Sequence, residues 1–178
     1  MSPTEIETSN RASEKFRLTT DMKRVVNEQR LAFVATVCPD GTANLSPKGT
    51  IAVLDDSRLV FIDIRSPGTI RNLATNSSIE VNVVDQFCRK GYRFKGTAQV
   101  VLGGGLYQDL KRFYSERWVD VGKGQTEIAI RAFVLMDVHQ ARPLISPSYD
   151  SGATEDEIQQ EWTQYFIRLN AKRKTRPS

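Results

Sequence analysis

Residues 61–76, "FIDIRSPGTIRNLATN", change from one hydrophobic period to another within a single short stretch. The first residues are apolar and β-branched, as in a buried strand, whereas Ile70 and Leu73 are spaced like one face of a helix. Pro67 and Gly68 separate the two halves and indicate a tight turn. The stretch therefore predicts a buried strand that ends in a turn and leads directly into a helix.

The same turn collects hydrogen-bond donors: Arg65, Ser66, Thr69 and Arg71 surround Pro67-Gly68. Backbone N–H groups at a helix start, together with the positive end of the helix dipole, favour an anion. Two interpretations remain open from these residues alone. Either Ser66 caps the helix while the arginines face solvent, or the turn binds a phosphate.

On the N-terminal side, "TTDMKRVVNEQR" predicts a short helix capped by Thr20. Three strand regions follow, separated by the turn signals "PDG" and "DDS": residues 31–38, 43–54 and 58–64. Such short connections favour antiparallel pairing. Pro47 and Gly49 interrupt the second region and indicate a bulge or a sheet edge, with Lys48 as a cation at that edge.

On the C-terminal side, further strands are predicted at residues 79–84, 92–101 and 127–139, with a helix between the last two at residues 106–118. Thr154 and Glu157 form a capping box that opens a final helix, residues 154–170. The sequence predicts a mainly β (α+β) chain: one antiparallel barrel with peripheral helices, forming a single domain over residues 1–178. Residues 1–18 are expected to be flexible, and residues 171–178 to form a basic tail.

Composition narrows the classes of function. The net charge of the 178 residues is +4, and the last eight residues, "AKRKTRPS", contribute four basic side chains. The rest of the chain is near neutral, which favours a basic tail over a nucleic-acid-binding surface. No apolar run long enough to span a membrane and no signal peptide is visible, so a cytoplasmic protein is expected. Cys38, Cys88 and a single histidine, His139, favour neither a metal site nor a catalytic triad, and the cysteines are expected to be buried thiols.

The order of these features resembles the pyridoxamine 5′-phosphate oxidase-like superfamily, the FMN-binding split β-barrels. The shared features are a strand broken at Lys48-Gly49, a turn at Asp55-Asp56, the strand "LVFIDI", the anion-binding turn and the run "RNLATN". The resemblance covers roughly residues 20–140. It implies a homodimer in which FMN lies in a groove between the two subunits.

The resemblance also implies roles for individual residues. Those implied for the flavin ring or ribityl chain are Lys48, Gly49 and Thr50, with Ile62 and Asp63 close by and Lys90 and Tyr92 near the ring from the same or the other subunit. Those implied for the phosphate are Ser66, Gly68 and Thr69, with Arg65 or Arg71 neutralising its charge. Many relatives have Arg-Lys where this chain has Gly68-Thr69, so Arg65 and Arg71 are expected to compensate for the missing charge.

By this resemblance the chain is expected to be an FMN-dependent oxidoreductase acting on a small-molecule substrate or a nicotinamide electron donor. It lacks the C-terminal arginine and tryptophan-bearing strand of pyridoxamine 5′-phosphate oxidase, so that enzyme's own reaction is not expected. No catalytic acid or base stands out. A carrier or sensor that binds FMN without turnover, and a barrel that binds F420, remain as alternatives; haem is the weaker one, with only His139 as a ligand.

Overall fold

The computed structural model describes residues 16–117 and 130–174, which form seven strands and four α-helices. The strands are β1 (Ala32–Val37), β2 (Ala43–Lys48), β3 (Ala52–Val53), β4 (Arg58–Asp63), β5 (Ser78–Asp85), β6 (Lys90–Val101) and β7 (Ala132–Ile145). The helices are α1 (Thr20–Gln29), α2 (Pro67–Thr75), α3 (Gly104–Arg117) and α4 (Glu155–Lys174), and a 3₁₀ turn, Pro147–Tyr149, precedes α4.

All seven strands form one antiparallel sheet in the order β2-β1-β5-β6-β7-β4-β3. The two edge strands, β2 and β3, are joined by residues 49–51 alone. From Lys48 to Ala52 the backbone reaches at most about 14 Å, whereas a flat seven-stranded sheet is about 29 Å wide. The sheet must therefore curl until its edges meet, and the fold is the expected split barrel.

The core fills both faces of β4. Leu59 and Phe61 point into the curled sheet, where they pack with residues such as Phe94. Val60 and Ile62 point to the opposite face and are covered by α3. Since β4 is buried on both sides, its sequence is a continuous apolar run without alternation, as predicted from "LVFIDI".

The helix ends differ slightly from the prediction. Thr19 caps α1, because its Oγ1 accepts a hydrogen bond from the Met22 N–H at 3.2 Å; the choice of Thr20 was wrong by one residue. The capping box of α4 is confirmed, with the Thr154 N–H donating to Glu157 Oε2 at 2.8 Å. That helix continues to Lys174, beyond residue 170, because alanine, lysine and arginine are all good helix formers.

Two strand boundaries also differ. The predicted strand at residues 43–54 is two strands, since the chain leaves β2 at Lys48 and enters β3 at Ala52. The last strand extends to Ile145 instead of ending at residue 139. Its second half pairs only with β6, because the pairing of β4 ends at Asp137. Pro143, which lacks an N–H, is tolerated along that free edge.

The predictions for residues 1–15, for residue 118 at the end of a predicted helix, for residues 127–129 at the start of a predicted strand and for residues 175–178 concern residues outside the described ranges. Within the described residues, no helix has the length and apolar character needed to cross a membrane. The two cysteines are free and only partly buried, so the prediction of buried thiols was wrong. Burial and the nearby Asp85 raise the pKa of the Cys88 thiol to about 11, which makes it a poor nucleophile.

Candidate functional site

The two edges of the curled sheet meet at Lys48, the last residue of β2. Its Nζ donates hydrogen bonds to Ser66 Oγ at 2.7 Å and to Ser46 Oγ at 2.5 Å. The lysine is only 4% exposed, and in the described part of the chain no carboxylate lies within 4.0 Å of its Nζ. Burial lowers the pKa of Lys48, and the attraction of Asp63 only partly opposes this. A buried cation is thus held here by neutral oxygens.

Lys48 lies in the wall of a groove of about 310 Å³ between β2 and the turn after β4. Six of the twelve predicted site residues line this groove: Lys48, Gly49, Thr50, Ile62, Arg65 and Ser66. Ser46, Pro47 and Ile64 complete the lining and were not predicted. Ser46 could have been found from the sequence, because alternate residues of a strand share a face and Ser46 is two residues from Lys48.

The turn before α2 is built around Ser66. Its N–H donates to Asp63 Oδ1 at 2.9 Å, and its carbonyl accepts the hydrogen bond from the Ile70 N–H at 3.2 Å. The hydroxyl does not cap the helix but accepts from Lys48. The N–H groups of Gly68 and Thr69 lie in the first turn, where a helix offers no internal acceptor. The turn therefore presents backbone donors at the positive end of α2.

The Thr69 side chain faces the protein and not the groove. It is 1% exposed, and its Oγ1 lies 3.4 Å from Asn44 Nδ2, which donates to it. Neither Gly68 nor Thr69 lines the groove at Lys48, and the Thr69 hydroxyl, which the resemblance implied as a phosphate ligand, is taken up inside the protein.

Thr50 fixes the floor of the groove to the core. The Ile62 N–H donates to Thr50 Oγ1 at 2.9 Å, and Thr50 Oγ1 lies 3.2 Å from the Ile62 carbonyl. From α3, the Tyr114 hydroxyl lies 2.7 Å from the carbonyl of Thr50, and burial raises the pKa of Tyr114. The groove is therefore supported by rigid elements on its inner side.

Four of the other predicted residues line other cavities and not the groove at Lys48. Asp63 and Arg71 line a cavity of about 290 Å³ on the opposite side of the turn. Lys90 and Tyr92 line a cavity of about 330 Å³ between α1, β6 and α4. There Lys90 Nζ donates to Glu155 at 2.5 Å and Tyr92 donates to Asp21 at 2.6 Å. The first contact raises the pKa of Lys90 and the second lowers the pKa of Asp21. Within one chain neither residue lines the groove at Lys48.

The chain is similar to a known protein family and to several solved structures. The family model described as "Pyridoxamine 5'-phosphate oxidase" matches residues 18–144. HupZ of Group A Streptococcus is 29% identical over 72% of this chain and 95% of its own, with a TM-score of 0.62. An FMN-binding protein of Syntrophomonas wolfei subsp. wolfei is 14% identical over 68% of this chain and 82% of its own, with a TM-score of 0.57. An F420 reductase is 15% identical over 70% of this chain and 98% of its own, with a TM-score of 0.52. A comparison with curated proteins finds no match.

Proposed function

The chain belongs to the pyridoxamine 5′-phosphate oxidase family, and from that premise we propose that it is a flavoprotein that binds FMN at Lys48 and acts as a flavin-dependent oxidoreductase. One observation carries the proposal. Lys48 is a buried cation beside a groove, and its hydrogen-bond partners are neutral. A buried charge is costly unless it is paired, and an anionic or electron-rich ligand would provide the missing pairing.

The chemistry of the groove fits the two ends of FMN. At the turn, the Ser66 hydroxyl and the exposed Arg65 line the groove and are donors suited to a phosphate, and the positive end of α2 lies directly after them. Along β2 and residues 49–51, the Gly49 backbone and Lys48 would face the ring system. Bound flavin supplies the redox chemistry, while the protein supplies position and electrostatics.

Among its described lining residues the groove holds no carboxyl, imidazole or thiol group; Lys48 and Arg65 are its ionisable groups. These residues therefore bind, orient and neutralise charge, and we propose that electrons pass directly between flavin and a docked nicotinamide or other small molecule. Steady-state oxidation of NADH or NADPH by the FMN-loaded protein separates this from a non-catalytic FMN carrier or sensor. No turnover with either donor would favour the carrier.

We further propose that a second copy of the chain completes the site. At about 310 Å³ the groove is at the small end of ligand pockets. The outer face of the β2–β1 hairpin exposes Phe33 by 47% and Leu45 by 65%, with Leu31 also exposed next to them. Exposed apolar side chains grouped in this way are typical of an interface.

The dimer predicts a molar mass in solution of twice 20.1 kDa. Leu45→Glu is expected to shift the protein towards the monomer, because it places a charge in an apolar contact. Light scattering coupled to size-exclusion chromatography measures both, with the exposed Leu106→Glu on α3 as a control. A wild-type monomer would contradict the proposed partner.

Gly49→Val tests the position of the ligand. A Cβ at Gly49 would have only the Arg30 carbonyl near it, at 4.0 Å, so the fold tolerates the side chain. Because Gly49 is exposed and lines the groove, we expect the larger side chain to crowd the ligand and FMN affinity to fall about tenfold, or 1.4 kcal/mol, with an unchanged unfolding temperature. FMN titration followed by visible absorption and flavin fluorescence measures the affinity.

A wild-type protein that takes up no FMN would contradict the flavin proposal, and a Gly49→Val variant with wild-type affinity would contradict the placement. The structural likeness to an F420 reductase favours F420 as the second candidate ligand. Titration with F420 beside FMN distinguishes the two, because only the better ligand displaces the other.

A further inference from the structure

A network of hydrogen bonds between side chains connects α2 to the β1–β2 hairpin. Asn72 Nδ2 donates to Thr36 Oγ1 at 3.0 Å, and Asn44 Nδ2 donates to the same oxygen at 3.1 Å. Asn44 Nδ2 also lies 3.4 Å from Thr69 Oγ1. Thr36, Thr69 and Asn72 are buried, so the network lies inside the contact between the helix and the sheet.

Apolar packing holds most amphipathic helices against a sheet, and it tolerates small shifts along the helix axis. Hydrogen bonds depend on direction and distance, and a buried polar group that loses its partner costs free energy. Every buried side-chain nitrogen and oxygen in the described residues has a partner. The network therefore holds α2 in one position on the hairpin.

The strand that carries this network also carries the cation of the groove. Asn44 and Lys48 lie on the same face of β2, because alternate residues of a strand share a face. Asn44 contacts Thr69 at one point of α2, and Lys48 contacts Ser66 just before the helix. Asn44 Oδ1 lies 3.7 Å from the position that a Cβ at Gly68 would take. The distance between the N–H groups of the first helical turn and Lys48 is thus set by β2.

We infer that Asn44 and Thr36 are positioning residues that hold the first turn of α2 in place for the phosphate of a flavin nucleotide, and so give the site its preference for FMN over riboflavin. Neither residue lines the groove at Lys48, so Asn44 acts through Thr69 and Thr36 acts through Asn72 and Asn44. The inference rests on the proposed function and adds a selectivity to it: riboflavin has the same ring but no phosphate.

The test measures the dissociation constants of FMN and riboflavin by fluorescence quenching in the wild-type protein, in Asn44→Ala and in Thr36→Val. Each variant removes two contacts of the network, and we expect the ratio of the riboflavin constant to the FMN constant to fall about fivefold in each, since only part of that loss reaches the phosphate. Riboflavin affinity should stay close to the wild-type value. Asn27→Ala is the control, because Asn27 is also partly buried and accepts a hydrogen bond from the Val53 N–H, away from α2; its ratio should not change.

The outcomes distinguish a failure of the proposed function from a failure of the positioning role of Asn44 and Thr36. A wild-type protein that binds neither flavin overturns the proposed function. Wild-type binding of both flavins with equal affinity overturns the phosphate site and this inference, while flavin binding stands. If the wild-type protein prefers FMN and neither variant lowers that preference, only the positioning role is overturned. Should one variant fail to fold, the other decides, because Thr36→Val keeps the shape of the side chain and Asn44 is only partly buried.

Discussion

Replacing Lys48 by methionine is expected to weaken FMN binding by roughly tenfold to a hundredfold, the range for a hydrogen bond to a charged group, and to lower the reduction potential of the bound flavin. Lys48 is the buried cation of the groove, and a positive charge beside the ring stabilises its anionic reduced form. Methionine keeps a similar length and removes a buried charge, so the unfolding free energy should not fall.

Titration with FMN measures the affinity, redox titration of the FMN-loaded protein measures the reduction potential, and denaturant unfolding measures the unfolding free energy. Lys111→Met is the matched control, since Lys111 is exposed on α3. In the wild-type protein, FMN affinity should also decrease as the pH rises through the pKa of Lys48. That decrease begins below the ordinary lysine range, because burial lowers this pKa. An unchanged affinity and potential in Lys48→Met would remove the lysine from the site.

Gly96→Ala is expected to destabilise the fold by about 3–5 kcal/mol, at the upper end of single-residue effects. A Cβ at this position would lie 1.9 Å from the carbonyl oxygen of Asp137, which belongs to the backbone of β7 and cannot move aside alone. The glycine stands where the pairing of β6 with β7 shifts its register, between Lys95 and Gly96. The close approach of the two backbones there requires a residue without a side chain.

Chemical denaturation of both proteins measures this effect. Gly103→Ala is the control, because no atom lies within 4 Å of a Cβ at that position. An unfolding free energy for Gly96→Ala within about 0.5 kcal/mol of the wild-type value, the range for surface changes, would show that the sheet relaxes around the new methyl group.

The elements that could be predicted from the sequence are those set by local rules. The capping box at Thr154 and the strand-turn-helix at residues 61–76 each depend on neighbouring residues, and both are present in the structure. Pro47 and Gly49 correctly indicated a sheet edge, because proline lacks a donor for a central ladder. The second half of β7 was missed, since its free edge depends on where β4 ends.

The residues of the candidate site that could be predicted from the sequence are also those near local turn signals. Lys48 and Gly49 lie where the chain leaves edge strand β2, and Ser66 lies in the turn between β4 and α2, so each is marked by a local turn signal. The side-chain partners of Lys90 and Tyr92 are far away in sequence, at Glu155 and Asp21, so no local pattern indicates them. Arg71 lies on α2 and lines a different cavity from the groove. Its position depends on the orientation of α2 on the sheet, which no local pattern indicates.

The short connection between edge strands β2 and β3, residues 49–51, also has a consequence for the order in which the fold forms. The β1–β2 and β3–β4 hairpins close short loops, whose entropic cost is small, and form early. The pairing of β4 with β7 joins residues 69 to 79 positions apart and is therefore expected to be slow. Since no ladder joins β2 to β3 in the described sheet, the groove takes its final shape only when that late pairing is complete. A ligand bound across the two edges would stabilise the finished barrel by mass action and slow its unfolding, without speeding its formation.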